Sequence, residues 1–548
     1  MKTTIKSHPV PIVALLMLVA MVPLMLCRDF TPANELRYLS IADEAIREGH
    51  IFAFTNQGEA YADKPPLYFW LMMFMKLVFG KHDIFALSLL SFIPALVIIG
   101  VMDKWIMTDA CRRGRKLDFG DRFASAIMLG TSALFMGASI FLRMDMLMCM
   151  FIVLALFTFY KMYMGIGNTK LNSYLLPLYI FLGLFTKGPV GLLLPPLAIF
   201  VFLLSEGKIS ETGKYLGWKT WGIIAGLCAV WFTGVLIDGG SSYLENLLFH
   251  QTVDRAVNAF HHKEPFWYYL VVIWYITAPY SPLLIANMTA AFTDWKSRTA
   301  ASGLYAAVVL TALVMMSCFS SKLAIYLLPL FPFLVYLFAV QSDKYGNRMW
   351  VRVMLAIPSL IFVIAGSVGI VSLAVHNKIP DLAGILRVYD FSLSPLSYAV
   401  LAVLTAGGMV SMFMLPKKNG WRKAVTSLAV SMLACVFLAS FMLPKANDFI
   451  GYSNLCSQAQ QLADDSGKDC SFVTLYVSRS ENMDVFLGKD IISYGRNPDD
   501  YLSSDNGNHI LMVKASHITE HPQLETRLSE FPYKQVGEYR CYSVLTDS

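Results

Sequence analysis

The sequence predicts a polytopic α-helical membrane protein that ends in a small α/β domain. Three observations carry this. Of the 548 residues, 56% are hydrophobic and only 15% charged, with a mean hydropathy of +0.54, whereas soluble domains hold about a quarter charged residues. Apolar runs of spanning length recur through residues 1–443. From residue 444 to 548 the composition turns polar. The net charge of +6 fits basic loops on the inner side of a membrane. With no nucleic-acid-binding signature beside it, nucleic acid is excluded as a partner.

The spans follow in order. Lys2 and Lys6 precede an apolar run from Pro9 to Cys27. No small-residue cleavage site follows that run, and Leu26 is too bulky for a lipoprotein box, so the run reads as a signal anchor. Twelve more runs fall at about 84–103, 123–142, 145–163, 173–187, 188–205, 219–238, 267–288, 301–318, 323–341, 351–375, 396–415 and 424–443. Residues 66–80 make a run of about 15, short of the roughly 20 a spanning helix needs. If that run does not cross, the basic clusters at 104–122, 206–219, 294–300, 342–352 and 416–423 all share the side of Lys2 and Lys6. If it crosses, they all oppose it. The prediction is therefore about thirteen transmembrane helices with the N-terminus inside and the C-terminus outside. Residues 66–80 lie flat at the outer face.

Residues 444–548 alternate helix-like "NLCSQAQQLADD" with strand-like "SFVTLYV", "HILMVK" and "CYSVL", the pattern of a small α/β domain. Cys456, Cys470 and Cys541 sit there. Three is an odd number, which allows one disulfide and one free thiol if the domain is outside the cell membrane. Elsewhere no C-x-x-C or zinc-finger spacing occurs.

Charges within or beside spans are costly and mark function by default. The predicted orientation brings most of them to the outer face, in loops 28–83 and 239–266 and at span edges. In "PANELRYLSIADEAIREG", Glu35, Arg37, Asp43, Glu44 and Arg47 have helical spacing, and an amphipathic helix lying on the bilayer accounts for that pattern. The same loop ends in Asp63-Lys64. "FLRMDMLMCM" places Arg143 and Asp145 between two spans, and "LGLFTKGPVGLLL" places Lys187 at a Gly188-Pro189 turn. The loop "FHQTVDRAVNAFHHKEPFWYY" holds His250, Arg255, His261 and His262 ahead of an aromatic belt, and Lys322 opens a later span with Tyr326 one helical turn on. A single lysine in a hairpin snorkels. Lys64, Arg143, Lys187, Arg255 and Lys322, from separate segments and on the face that basic residues avoid, describe an anion site at the lipid–water boundary. A lipid phosphate or pyrophosphate fits it. The histidines with Asp63 offer a metal-ligand set, against the plainer reading of polar loop residues.

Taken together, "ANELRY", "YADKPPLYFW", "RMD", "FTKGP", "HHKEPFWYY" and "SKLAIYLLPLFP" resemble the GT-C superfamily of bacterial lipid-linked-sugar glycosyltransferases. Within the wider protein O-mannosyltransferase-like group, the resemblance is closest to the 4-amino-4-deoxy-L-arabinose transferases of lipid A, and it spans the whole chain. It implies a transferase domain over 1–443, a periplasmic domain over 444–548, and an inner-membrane enzyme, read as a monomer among membrane lipids. The donor would be a sugar on undecaprenyl phosphate. The acceptor would be lipid A or a periplasmic protein. By the resemblance, Lys64, Lys187, Arg255 and Tyr326 hold the donor phosphate, with Lys322 and Arg143 beside them. Asp145 matches an acidic active-site position. Asp63 stands for a metal-ligating Glu, partnered by His250, His261 or His262 and a divalent metal (zinc, magnesium or manganese). Arg37, Tyr38, Tyr61, Tyr68 and Trp267 would line the sugar and prenyl grooves.

One departure bears on mechanism. Relatives carry Asp-Glu where this chain has Asn34-Glu35. Asn34 cannot take a proton, so Glu35 or Asp145 takes the role or none is needed. An acceptor phosphate is already ionised, whereas a Ser or Thr hydroxyl benefits from a base. The departure therefore favours a lipid phosphate acceptor over protein O-glycosylation. A transporter would keep its charges near the bilayer midplane, often in inverted repeats, and neither feature is visible.

Overall fold

The computed structural model describes residues 8–248, 263–375 and 394–545. The first helix, α1 (Val10–Cys27), leads into a loop region. This region holds α2 (Arg37–Glu48), a tiny hairpin of β1 (Thr55–Asn56) and β2 (Glu59–Ala60), and α3 (Leu67–Phe79). Next come α4 (Ile84–Arg112), α5 (Phe119–Gly130), α6 (Ala133–Ala138), α7 (Met144–Tyr163), α8 (Thr169–Lys187), α9 (Pro189–Ser205) and α10 (Trp218–Glu245). The bundle closes with α11 (Tyr268–Ile276), α12 (Ser281–Thr293), α13 (Ala300–Cys318), α14 (Phe331–Tyr345), α15 (Met349–Val375), α16 (Pro395–Met414) and α17 (Gly420–Ser440).

Among the described residues nine helices are long and apolar enough to cross a membrane, so the chain is a multi-pass membrane protein. The other four apolar runs fold as helices that are shorter, broken or less apolar. Two of them break against each other. Between α5 and α6 the chain opens at Ser132, and Ala133 N donates to Ala278 O at 2.9 Å while Thr131 Oγ1 and Tyr280 OH pair at 2.8 Å. Each break thus satisfies polar groups that the other exposes, as a low-dielectric interior demands. α3 has 13 residues, about 20 Å of helix, against a hydrocarbon core of about 30 Å. Its far end leaves Phe74, Leu77, Val78 and Phe79 exposed, which suits a helix at the membrane boundary.

α8 and α9 form a hairpin through Gly188, whose φ of +104° suits glycine. Lys187 is the last residue of α8. The two helices approach at Gly183 and Gly191, where a Cβ on Gly191 would overlap the Gly183 backbone. Gly191→Ala should therefore push the helices apart at a cost of about 1–3 kcal/mol and displace Lys187. A lowered melting temperature is the expected result.

The C-terminal region contains α18 (Ser453–Ser466) and a five-stranded sheet of β3 (Ser471–Leu475), β4 (Ile491–Ser493), β5 (His509–Lys514), β6 (Tyr533–Val536) and β7 (Tyr539–Val544), in the order β4-β3-β5-β7-β6. β3 runs parallel to β4 and β5, and β7 is antiparallel to both its neighbours. Successive strand residues point to opposite faces. Val473, Leu511 and Tyr542 pack with Tyr501 and Leu524 on one side. Phe472, Ile510 and Cys541 share a cluster on the other with Leu455 of α18 and with Leu36, Leu39 and Phe69 of the loop region.

That second cluster corrects the reading of α2 as a helix on the bilayer surface. Tyr38, Leu39, Ile41, Ala42 and Ala45 are buried, and its charges have protein partners. Glu44 accepts from the N–H groups of Gln57 (2.7 Å) and Gly58 (2.8 Å), Asp43 pairs with Lys76 and with His82 (2.6 Å), and Ser40 donates to Asp484 at 2.8 Å. Burial raises the Asp484 carboxyl above its ordinary value, with the Ser40 hydrogen bond acting the other way. All nine thiols are free, and Cys456, Cys470 and Cys541 are buried, so the tail disulfide that the sequence allows is not formed here.

Candidate active site

The site is built at the end of the bundle that carries the C-terminal region. Asp145 lies in the first turn of α7 with its carboxylate almost wholly buried. Lys187, arriving from the α8–α9 hairpin, pairs with Asp145 Oδ1, and Arg143 Nε approaches Oδ2 at 3.3 Å. A buried carboxylate needs such partners. Tyr326 comes from a 3₁₀ turn (Ala324–Leu330), and its ring centroid is 4.9 Å from Lys187 Nζ, within cation–π range. Lys64 lies close enough to act electrostatically on Lys187, and its ammonium is 3.7 Å from Asp63 Oδ2. Arg143 is in turn within electrostatic reach of Tyr38 and Tyr326.

On the other flank the Arg37 guanidinium is 5.7 Å from the ring centroids of both Tyr38 and Tyr61. Burial holds the Tyr38 phenol above its ordinary range, with Arg37 and Arg143 pulling the other way, so it stays a hydrogen-bond donor. Lys64, Arg143, Lys187 and Arg37 thus face two carboxylates, Asp63 and Asp145. The surplus is positive, and it suits an anion that gains charge during a reaction.

Several expected residues lie elsewhere. Glu35, 1% exposed, accepts from Arg28 Nη1 (2.8 Å), Thr31 N (2.8 Å), Thr31 Oγ1 (3.0 Å) and Leu142 N (2.7 Å). These four scaffold donors make it a clamp. Asn34 sits half-buried on the same π-helical turn, Pro32–Leu36. Lys322, 4% exposed, donates to Glu264 O (2.9 Å) and Phe319 O (2.6 Å), so two of its three N–H donors are held by backbone carbonyls. Tyr68 is fully buried, 3.4 Å from Ser91 Oγ, and belongs to the core. Trp267 is 60% exposed just before α11, as aromatic belt residues are. Arg255, His250, His261 and His262 lie outside the described residues. Among the described residues no group of three or more His, Cys, Asp or Glu could hold a metal ion.

Two structural residues had a signal in the sequence that went unread. Arg28 caps α1 and also donates to Ser88 Oγ (3.0 Å) and Ile140 O (3.3 Å). Asp238, an acid within the largely apolar α10, accepts from the N–H groups of Ile51 (2.9 Å), Phe52 (2.7 Å) and Ala53 (2.8 Å) and pairs with His50 (2.9 Å). Together they fasten the loop that carries Lys64.

A helical bundle whose cation-lined acidic site lies beside an α/β domain is the architecture of the GT-C membrane glycosyltransferases, and the chain has that fold. Its particular likeness is to the aminoarabinose transferases. It superposes on the crystal structure of ArnT from Cupriavidus metallidurans bound to undecaprenyl phosphate with a TM-score of 0.74 and 16% identity, covering 97% of both chains. On the apo state of that protein the TM-score is 0.72. By sequence it is similar to the "undecaprenyl phosphate-alpha-4-amino-4-deoxy-L-arabinose arabinosyl transferase" of Yersinia pestis (strain Pestoides F), at 24% identity over 499 residues, 86% of this chain and 85% of the relative. It is also 24% identical to the enzyme of that name from Wigglesworthia glossinidia brevipalpis over 382 residues, 67% of this chain and 64% of the relative. No protein-family model matches.

Proposed function

We propose that the protein is an integral membrane glycosyltransferase that moves an aminoarabinose-type sugar from undecaprenyl phosphate to a phosphate of lipid A at the periplasmic face of the inner membrane. The observation that carries this is the Asp145 carboxylate held between Lys187 and Arg143, with Tyr326 and Lys64 beside them. It occurs in a fold shared end to end with a protein crystallised with undecaprenyl phosphate.

In the proposed reaction the sugar C1–O bond to the polyprenyl phosphate breaks through an oxocarbenium-like transition state, and the electron pair leaves with the phosphate oxygen. Lys187, Arg143 and Lys64 meet the charge that develops there. Fixed in advance in a site of low dielectric, they stabilise it better than water does. Asp145 positions these cations and offers negative charge near the electron-poor C1. The acceptor attacks the opposite face, which inverts C1. An ionised phosphate acceptor needs no general base, in keeping with the clamp role of Glu35 and the amide of Asn34. Arg37 between Tyr38 and Tyr61 suits the incoming acceptor phosphate, since a guanidinium binds phosphate oxygens in pairs. A divalent metal, where one binds, would draw on Asp63 and the histidines at 250, 261 and 262. In this reading the N-terminus is cytoplasmic, the C-terminal region periplasmic, and one chain holds the whole site, acting as a monomer.

Mass spectrometry of lipid A from cells with and without the gene tests the proposal. The expected result is loss of the amino-sugar from lipid A phosphate. Loss confined to periplasmic glycoproteins would assign the acceptor to protein instead.

A further inference from the structure

At the opposite, basic end of the bundle, α5, α16 and α17 enclose a cleft of about 630 Å³. Its walls are apolar, with Phe119 and Phe123 stacked on one side (6.0 Å between centroids) and Met414 and Val430 on the other. The wall hydroxyls are already used. Thr426 Oγ1 donates to Arg422 O at 2.8 Å and Ser427 Oγ to Gly407 O at 2.9 Å. The mouth is cationic, formed by Lys418, Arg422 and Lys423.

These three cations differ in kind. Arg422 is held by carboxylates, Nε by Asp121 Oδ1 (2.7 Å), Nη2 by Asp121 Oδ2 (2.8 Å) and Nη1 by Asp118. It lies against Gly120, where a Cβ would meet it at 3.2 Å. Its charge is spent on the protein, and it forms a fixed floor. Lys418 and Lys423 are exposed, and neither makes an ion pair among the described residues. The turn that carries Lys418 is braced by Asn347 and Asn419, which exchange two hydrogen bonds of 3.1 Å, so the mouth is preformed. Val430, at 43% exposed, and the neighbouring Phe413, at 68%, face outward, as side chains at a lipid boundary do.

We propose that this cleft binds an anionic phospholipid, with the headgroup phosphate between Lys418 and Lys423 and the upper acyl chains along the Phe119–Phe123 wall. Basic pockets between membrane helices are a recurrent headgroup site. A free phosphate would leave the apolar wall uncovered, and a zwitterionic lipid would bring its own quaternary ammonium against the lysines. The site is remote from Asp145 and independent of the proposed sugar transfer.

The test uses the full-length protein in nanodiscs containing photoreactive phosphatidylglycerol or photoreactive phosphatidylcholine. Cross-linked peptides are mapped by mass spectrometry. Phosphatidylglycerol should label the segment around 410–430, phosphatidylcholine should stay at background, and inorganic phosphate should not compete. The K418Q/K423Q double variant, which removes two exposed charges outside any ion pair, should weaken the labelling roughly thirtyfold, at about tenfold or less per lysine. Unchanged overall lipid labelling elsewhere on that variant controls for folding. Equal labelling by phosphatidylcholine, labelling indifferent to the double substitution, or displacement by inorganic phosphate would each overturn the proposal.

Discussion

Lys187→Met is expected to lower sugar transfer roughly 10²–10³-fold, the usual cost of removing one preplaced group that stabilises developing charge. Lys187 is the cation most committed to the site. It arrives at the end of α8, is packed under the Tyr326 ring, and pairs with Asp145. Methionine keeps its length and apolar stem, so the loss is that of the ammonium. Asp145 still has Arg143 at 3.3 Å and the Met144–Tyr163 helix remains packed, so the fold should survive with a melting temperature lowered by only a few degrees. Lys187→Arg should recover little, because a planar guanidinium does not fit between a carboxylate and a ring face built around an ammonium. Single-turnover transfer from a lipid-linked donor, measured beside thermal unfolding in detergent, separates the two effects. Should turnover fall only in proportion to the folded fraction, Lys187 would be a structural ion-pair partner and the leaving-phosphate role would be lost.

The parts of this site that were legible in the sequence share a physical reason. Asp145, Arg143 and Lys187 interrupt apolar runs, and an uncompensated charge there is so unfavourable that its presence already implies a partner. The shortness of the 66–80 run was equally legible, because run length needs no knowledge of packing: it folds as the 13-residue α3. What stayed hidden depends on contacts distant in sequence. The period of α2 shows an apolar face, but nothing in it says that the cover is a sheet containing Phe472 and Ile510 instead of lipid. The break between α5 and α6 needs the Ala278 carbonyl as partner, since Thr and Ser alone do not end a helix. β4 and β6 are edge strands of only three and four residues, which sheets favour at their borders and which are too short to carry a pattern to read. Lys322 shows the limit from the other side. Its position on the predicted outer face suggested phosphate, yet two backbone carbonyls hold it.

Glu35→Gln is expected to destabilise the protein by about 3–5 kcal/mol, the cost of leaving a buried charge without its partner, and to do so without any special loss of chemistry. Gln keeps the shape but has one acceptor oxygen, whereas Thr31 N donates to Oε2 and Leu142 N to Oε1, at 2.8 and 2.7 Å, so one of these N–H groups would also face an amide NH2. The Arg28 guanidinium, 2.8 Å from the carboxylate and nearly as buried, would keep only Ser88 Oγ and two backbone carbonyls. None of these is anionic. The paired change R28M/E35Q removes the stranded charge while a long apolar stem fills the space, so it should be more stable than E35Q alone. A double-mutant cycle on melting temperature reads that recovery directly. If Glu35 were instead a catalytic base, the pattern would reverse: E35Q would melt like the parent, lose turnover, and gain nothing from R28M. The clamp has a functional consequence of its own. Through Leu142 N, Glu35 ties the first loop to the residue preceding Arg143, so the stability of one buried ion pair sets how closely Arg143 and Asp145 are held against Lys187.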